Sequence, residues 1–98
     1  MKAKRKPLPR NMAGRELVAW NVRRLRVERD LSAEALANQS GVDRVYLSRI
    51  ERALANATID ILERLASVLG VEIAQLFAVP SRNDPPPEPL PGGRRSRQ

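Results

Sequence analysis

Apolar residues in the first third of the chain recur at intervals of four and three. Val18, Val22 and Leu25 form one such stripe, and Leu31 continues it past the end. That spacing is the signature of a helix burying one side, and it predicts a helix from about Gly14 to Arg29. Ser32 is a natural N-cap for a second helix, with Glu34 in its first turn favoured by the helix dipole and Leu36 and Ala37 on its inner side. Asp43 caps a third helix in the same way. Val42, Leu47 and Ile50 face inward there, leaving Arg44, Val45, Ser48 and Arg49 outward. The stretch 52–57 has no apolar period and reads as a loop. Thr58 then caps a fourth helix whose stripe, Ile59, Leu62, Leu65, Ala66 and Leu69, stops at Gly70. A short fifth helix is expected near Ile73–Phe77, ending before Pro80, and no strand signal or internal repeat is visible.

Between Leu31 and Glu51 this pattern is two short amphipathic helices hinged on Gly41. Ala37 is small where the two helices cross. Gly41 falls where the second helix must stop abruptly, so a left-handed backbone is expected there. One small residue, one glycine and spaced apolar positions make a helix-turn-helix, whose second helix is a reading head for the DNA major groove.

Composition narrows the remaining possibilities. The 98 residues allow one domain, and the absence of cysteine excludes disulfides and thiolate metal sites. With no histidine either, the usual general bases, nucleophiles and transition-metal ligands are missing, so neither an enzyme nor a cofactor or metal is expected. No apolar run reaches the length of a membrane span, and the basic N-terminus lacks the apolar stretch of a secretory signal. A reducing, cytoplasmic setting is the default. The net charge of +7 sits in the ends: Lys2, Lys4, Arg5, Lys6 and Arg10 at one, and Arg82, Arg94, Arg95 and Arg97 against Asp84 and Glu88 at the other. Residues 11–80 balance to zero. The division expected is therefore a disordered basic arm over 1–10, a folded domain over 11–79 and a Pro/Gly/Arg-rich disordered tail over 80–98.

Five short helices with the helix-turn-helix at positions two and three resemble the lambda-repressor/Cro-like (XRE-type) DNA-binding domain, an all-α fold. The resemblance covers roughly 15–79 and rests on LSAEALA, GVDRVYLSRIER, ATIDILERLASVLGV and the closing QLF. DRVYLSRIER, followed by a loop and a threonine-led helix, also looks like the controller proteins of bacterial restriction–modification systems. The resemblance implies a partly buried salt bridge between Arg26 and Glu51, base-edge contact by Arg44, and a dimer surface near helix five. Three positions depart from the family pattern. Ala33 stands where a phosphate-clamping glutamine is common and keeps only its backbone N–H. Ala53 replaces a usual glycine, so the third helix is expected either to run on or to lead into a different loop, and 54–57 reads LANA where a basic residue and a proline are frequent.

On this reading Arg44 presents a bidentate fork to guanine, with a solvated arginine paired to Asp43 or Ser40 as the alternative. Val45 lies against a thymine methyl or is merely an exposed β-branched residue. Ser48 and Arg49, one turn on, reach a base edge or phosphate, against a surface ion pair for Arg49. Phosphate contacts are assigned to Ser32, the Ala33 N–H, Tyr46, Arg52, Asn56 and Thr58, although Tyr46 could instead be an aromatic flanking the core. Val71, Ile73, Phe77 and Val79 offer apolar area for a homodimer, with Leu76 going to the core. Trp20 lies opposite the apolar stripe of the first helix, covered by the N-terminal segment or facing a protein partner. The function expected is a sequence-specific double-stranded DNA-binding regulator acting as a homodimer. The rivals are a protein-interaction module (antitoxin or adaptor) on the same fold, and non-specific nucleic-acid coating through the arms.

Overall fold

A computed structural model of the chain describes residues 12–81. Four α-helices follow one another: α1 (Gly14–Glu28), α2 (Ala33–Ser40), α3 (Arg44–Glu51) and α4 (Ile59–Leu69). There is no strand among the described residues. The fifth segment, expected as a helix, is a 3-10 helix over Ile73–Phe77. Five residues between extended neighbours are too few to nucleate an α-helix, and Leu76 is the buried side chain among them. The basic arm expected over 1–10 and the tail from residue 82 onward lie outside the described residues. Pro80, placed at the head of that tail, is buried against the domain.

The core gathers the apolar side of every element. Val18, Val22 and Leu25 of α1 meet Leu36 and Ala37 of α2, Leu47 and Ile50 of α3, four residues of α4 and Leu76. α1 packs against α3, α4 and the 3-10 helix, while α2 packs against α3 and α4. The helix-turn-helix therefore rides on a scaffold of α1 and α4, with Leu36, Leu47 and Leu65 fully enclosed at its centre. Excluding these side chains from water, at about 2 kcal/mol each, holds α2 and α3 in one relative orientation.

Helix starts are satisfied locally. The Ser32 hydroxyl accepts from the Ala35 N–H at 3.0 Å, the Asp43 carboxylate from the Tyr46 N–H at 3.0 Å, and the Thr58 hydroxyl from the Ile61 N–H at 3.1 Å. The ends of α1, α3 and α4 share one device, a left-handed residue just past the last turn that lets two N–H groups return to the helix carbonyls. At α4 that residue is Gly70, φ +73°, with the Val71 N–H donating to the Ala66 carbonyl at 3.0 Å. At α1 it is Asp30 (φ +55°) and at α3 it is Ala53 (φ +60°). At α3 the Ala53 N–H donates to the Ile50 carbonyl at 3.0 Å and the Leu54 N–H to the Arg49 carbonyl at 2.8 Å. The helix thus stops on schedule without the glycine, at the cost of an alanine in a strained backbone region. α2 ends on Gly41 at φ +74°, whose N–H donates to the Ala37 carbonyl at 2.9 Å.

Arg26 and Glu51 form a two-pronged ion pair, with Nε donating to Oε2 at 2.8 Å and Nη2 to Oε1 at 2.9 Å. Arg26 Nη1 donates to the Leu31 carbonyl at 3.0 Å. Each of the two side chains retains 9% exposure, so the pair ties α1 to the end of α3 largely away from water.

Candidate nucleic-acid interface

The geometry of α3 follows from its period. At 100° per residue, Arg44, Ser48, Arg52, Val45 and Arg49 fall within an arc of about 140°. Leu47 and Ile50 lie on the other side and are 0% and 2% exposed. All five residues of the arc are exposed, and Val45 keeps 68% of its surface. Three of the five are arginines and none is acidic. Glu51, the carboxylate on this helix, is turned inward and neutralised by Arg26. An outer face with three positive charges, one hydroxyl and one β-branched methyl pair is thereby presented to solvent on a rod whose inner face is locked in the core.

The two arginines central to base contact differ in their surroundings. Arg44 projects from the exposed first turn of α3. Arg49 is also exposed, but its Nη2 donates to the Leu54 carbonyl at 3.1 Å, which aims the guanidinium along the loop after α3. A guanidinium has five N–H donors, so this bond leaves most of the fork available. Arg52 caps the C-terminal end of α3 and is exposed.

The other sequence-derived candidates form a rim around this face. Tyr46 is half-buried and packs against the core, and its hydroxyl donates to the Asn56 carbonyl at 3.4 Å. Asn56 and Thr58 are exposed in and after the loop. The Thr58 and Ser32 hydroxyl oxygens accept the capping N–H groups, which leaves their own hydrogens able to donate to an anion. Ala33 is half-buried at the start of α2, with its side chain against the core. Away from this rim, Val71 and Ile73 are half-buried and pack on the core, whereas Phe77 and Val79 are 40% and 42% exposed. Trp20 is half-buried on α1.

Two features escaped sequence reasoning. The Arg49 and Tyr46 bonds end on loop carbonyls, which carry no side-chain signature. Asn21 is 1% exposed and lies among the apolar residues of α1. Its position at i+3 from Val18 and i−4 from Leu25, squarely in the apolar stripe, was the available signal.

A small helical domain with a rigid α2–turn–α3 pair and an arginine-bearing outer face defines a helix-turn-helix protein. The comparison with known proteins agrees, since the helix-turn-helix family model matches residues 22–76. The chain is 40% identical over 73 residues to a hypothetical transcription factor of Neisseria meningitidis serogroup B, covering 74% of this chain and 69% of that one. It is 39% identical over 63 residues to the control protein C.SmaI of Serratia marcescens, covering 64% of this chain and 75% of the relative. Among solved structures, the restriction–modification controller protein C.AhdI from Aeromonas hydrophila superposes with a TM-score of 0.64 at 35% identity, over 67% of this chain and all of that one. The chain belongs to the XRE-type helix-turn-helix family of DNA-binding transcriptional regulators.

Proposed function

We propose that this regulator reads a specific double-stranded operator as a homodimer, with α3 of each copy in the major groove. The observation that carries the reading is the outer arc of α3, where Arg44, Val45, Ser48 and Arg49 stand exposed on a helix fixed from behind by Leu47 and Ile50. Arg44 is suited to a guanine edge, because its planar fork matches two acceptors at once. Val45 offers a methyl pair to a thymine methyl. Ser48 and Arg49 lie a turn further along the same groove edge. Arg52, Asn56, Thr58 and Tyr46 supply phosphate contacts on one side, and Ser32 with the Ala33 N–H supplies them at the start of α2. These contacts set register, and the base edges set sequence. One module spans only a few base pairs, so two copies on a palindrome provide the required discrimination. Val71, Ile73, Phe77 and Val79 belong to the surface through which the copies meet.

The test is a mobility shift with the full chain at physiological salt on a selected palindrome. Arg44→Ala should weaken specific binding by about 10- to 100-fold and leave binding to random DNA nearly unchanged. Equal, weak binding to every sequence, indifferent to Arg44→Ala, would overturn the reading and return the chain to the interaction-module alternative.

A further inference from the structure

The amide in the core is wired to the end of the domain. Asn21 Nδ2 lies 2.9 Å from the Leu17 carbonyl oxygen of its own helix, but also 3.1 Å from that of Leu76 and 2.8 Å from that of Ala78. Its two hydrogens are thus divided among three acceptors. The three carbonyls fix the amide with Nδ2 inward, and on its other side Oδ1 accepts from Arg24 Nη2 at 3.1 Å while Arg24 Nη1 donates to Glu28 at 3.1 Å. Burying an amide in an apolar core is unfavourable unless it is bonded, and one carbonyl on α1 would have gone far toward satisfying it. Two of the three acceptors instead lie 55 and 57 residues away.

Those two carbonyls flank Phe77, and the exposed residues 77–79 lie between two buried ones. Leu76 is fully enclosed, Phe77 and Val79 are 40% and 42% exposed, and Pro80 is buried again. Ala78 is extended, which carries Phe77 and Val79 outward along one strap. Phe77 also stands at the rim of a recess of about 430 Å³, whose walls include Val18, Ala57, Ile59 and Leu62. Ile59, at 60% exposure, marks the opening of that recess. A two-fold contact sets one patch against its own copy, and a patch that carries both a projection and a hollow can meet the self-complementarity this requires. Phe77 and the recess beside it meet that requirement.

We infer that Asn21 is a positioning residue for self-association: by holding the Leu76 and Ala78 carbonyls, it presents Phe77 and Val79 to the recess of a second copy. The inference rests on the homodimer reading above. Dimer dissociation constants of the full chain, from sedimentation equilibrium, test it alongside thermal unfolding at low concentration. Asn21→Leu keeps the bulk and removes both donors, and should raise the dimer dissociation constant by about tenfold. Phe77→Ala, which removes the presented ring from the surface, should raise it at least as much. In a Phe77→Ala, Val79→Ala background, Asn21→Leu should add nothing, because both side chains that it presents are gone. A lower unfolding temperature with an unchanged dissociation constant would show that Asn21 is merely structural and overturn the inference. So would a full tenfold effect on top of the Phe77→Ala, Val79→Ala pair. Should Asn21→Leu fail to fold, an unchanged constant in Phe77→Ala is the overturning result. A parent chain that stays monomeric defeats the homodimer reading and this inference together, whereas a dimer indifferent to both variants defeats this inference alone.

Discussion

Ala53→Gly is expected to stabilise the domain, and the reason lies wholly in the backbone. Ala53 has φ +60° and closes α3 by donating to the Ile50 carbonyl, while Leu54 returns to Arg49. An L-residue in the left-handed region is disfavoured by about 1–2 kcal/mol because its Cβ crowds the following carbonyl. Glycine removes that crowding but gives the unfolded chain more freedom, which offsets about 0.5–1 kcal/mol. The net gain should be about 0.5–1 kcal/mol, or roughly 3–6 °C in Tm for a domain of this size. The reciprocal change is available in the same molecule. Gly41 sits at φ +74°, and a Cβ added there would meet no neighbouring atom within 4 Å, so Gly41→Ala brings strain but no clash. It should lose about the same amount. Both variants can be followed by circular dichroism on heating and by urea titration. A lowered or unchanged Tm for Ala53→Gly, with an unchanged urea slope, would refute the argument, since it would mean that alanine is not strained where α3 stops.

Two further predictions concern the ion pair and the groove face. Arg26→Ala or Glu51→Ala alone should cost about 3–5 kcal/mol in urea unfolding, because each leaves the partner's charge largely enclosed. Arg26→Met combined with Glu51→Leu should cost far less than either single change, and equal losses for all three variants would contradict that account. Arg52→Ala should weaken binding to all DNA sequences alike and reduce the slope of log K against log salt by about one per copy. A change confined to one operator position would instead make Arg52 a base reader.

The helix-turn-helix was legible along the chain because its determinants are local. Leu47 and Ile50 lie a turn apart and fix which side of α3 is buried, and Arg44, Val45, Ser48 and Arg49 are then outward by the helical period alone. Ser32, Asp43 and Thr58 announce helix starts because a cap acts within three residues. The departure at Ala53 was visible too, but its outcome was not. Whether α3 ran on or stopped depended on how the Leu54 and Ala53 N–H groups could be satisfied once the loop was placed.

The remainder belongs to contacts between segments far apart in sequence or ending on backbone atoms. Nothing near Asn21 names the carbonyls of Leu76 and Ala78, and nothing near Arg49 or Tyr46 names those of Leu54 and Asn56. Pro80 read as the start of a solvated tail because proline and charge follow it, yet it is buried. The 3-10 helix likewise takes its form from the docking of Leu76 rather than from any period of its own. Side-chain spacing specifies which face of each helix is apolar, since that is repeated every turn. The partner met by a polar group on that face is chosen only when the helices pack, because a backbone carbonyl looks the same at every residue.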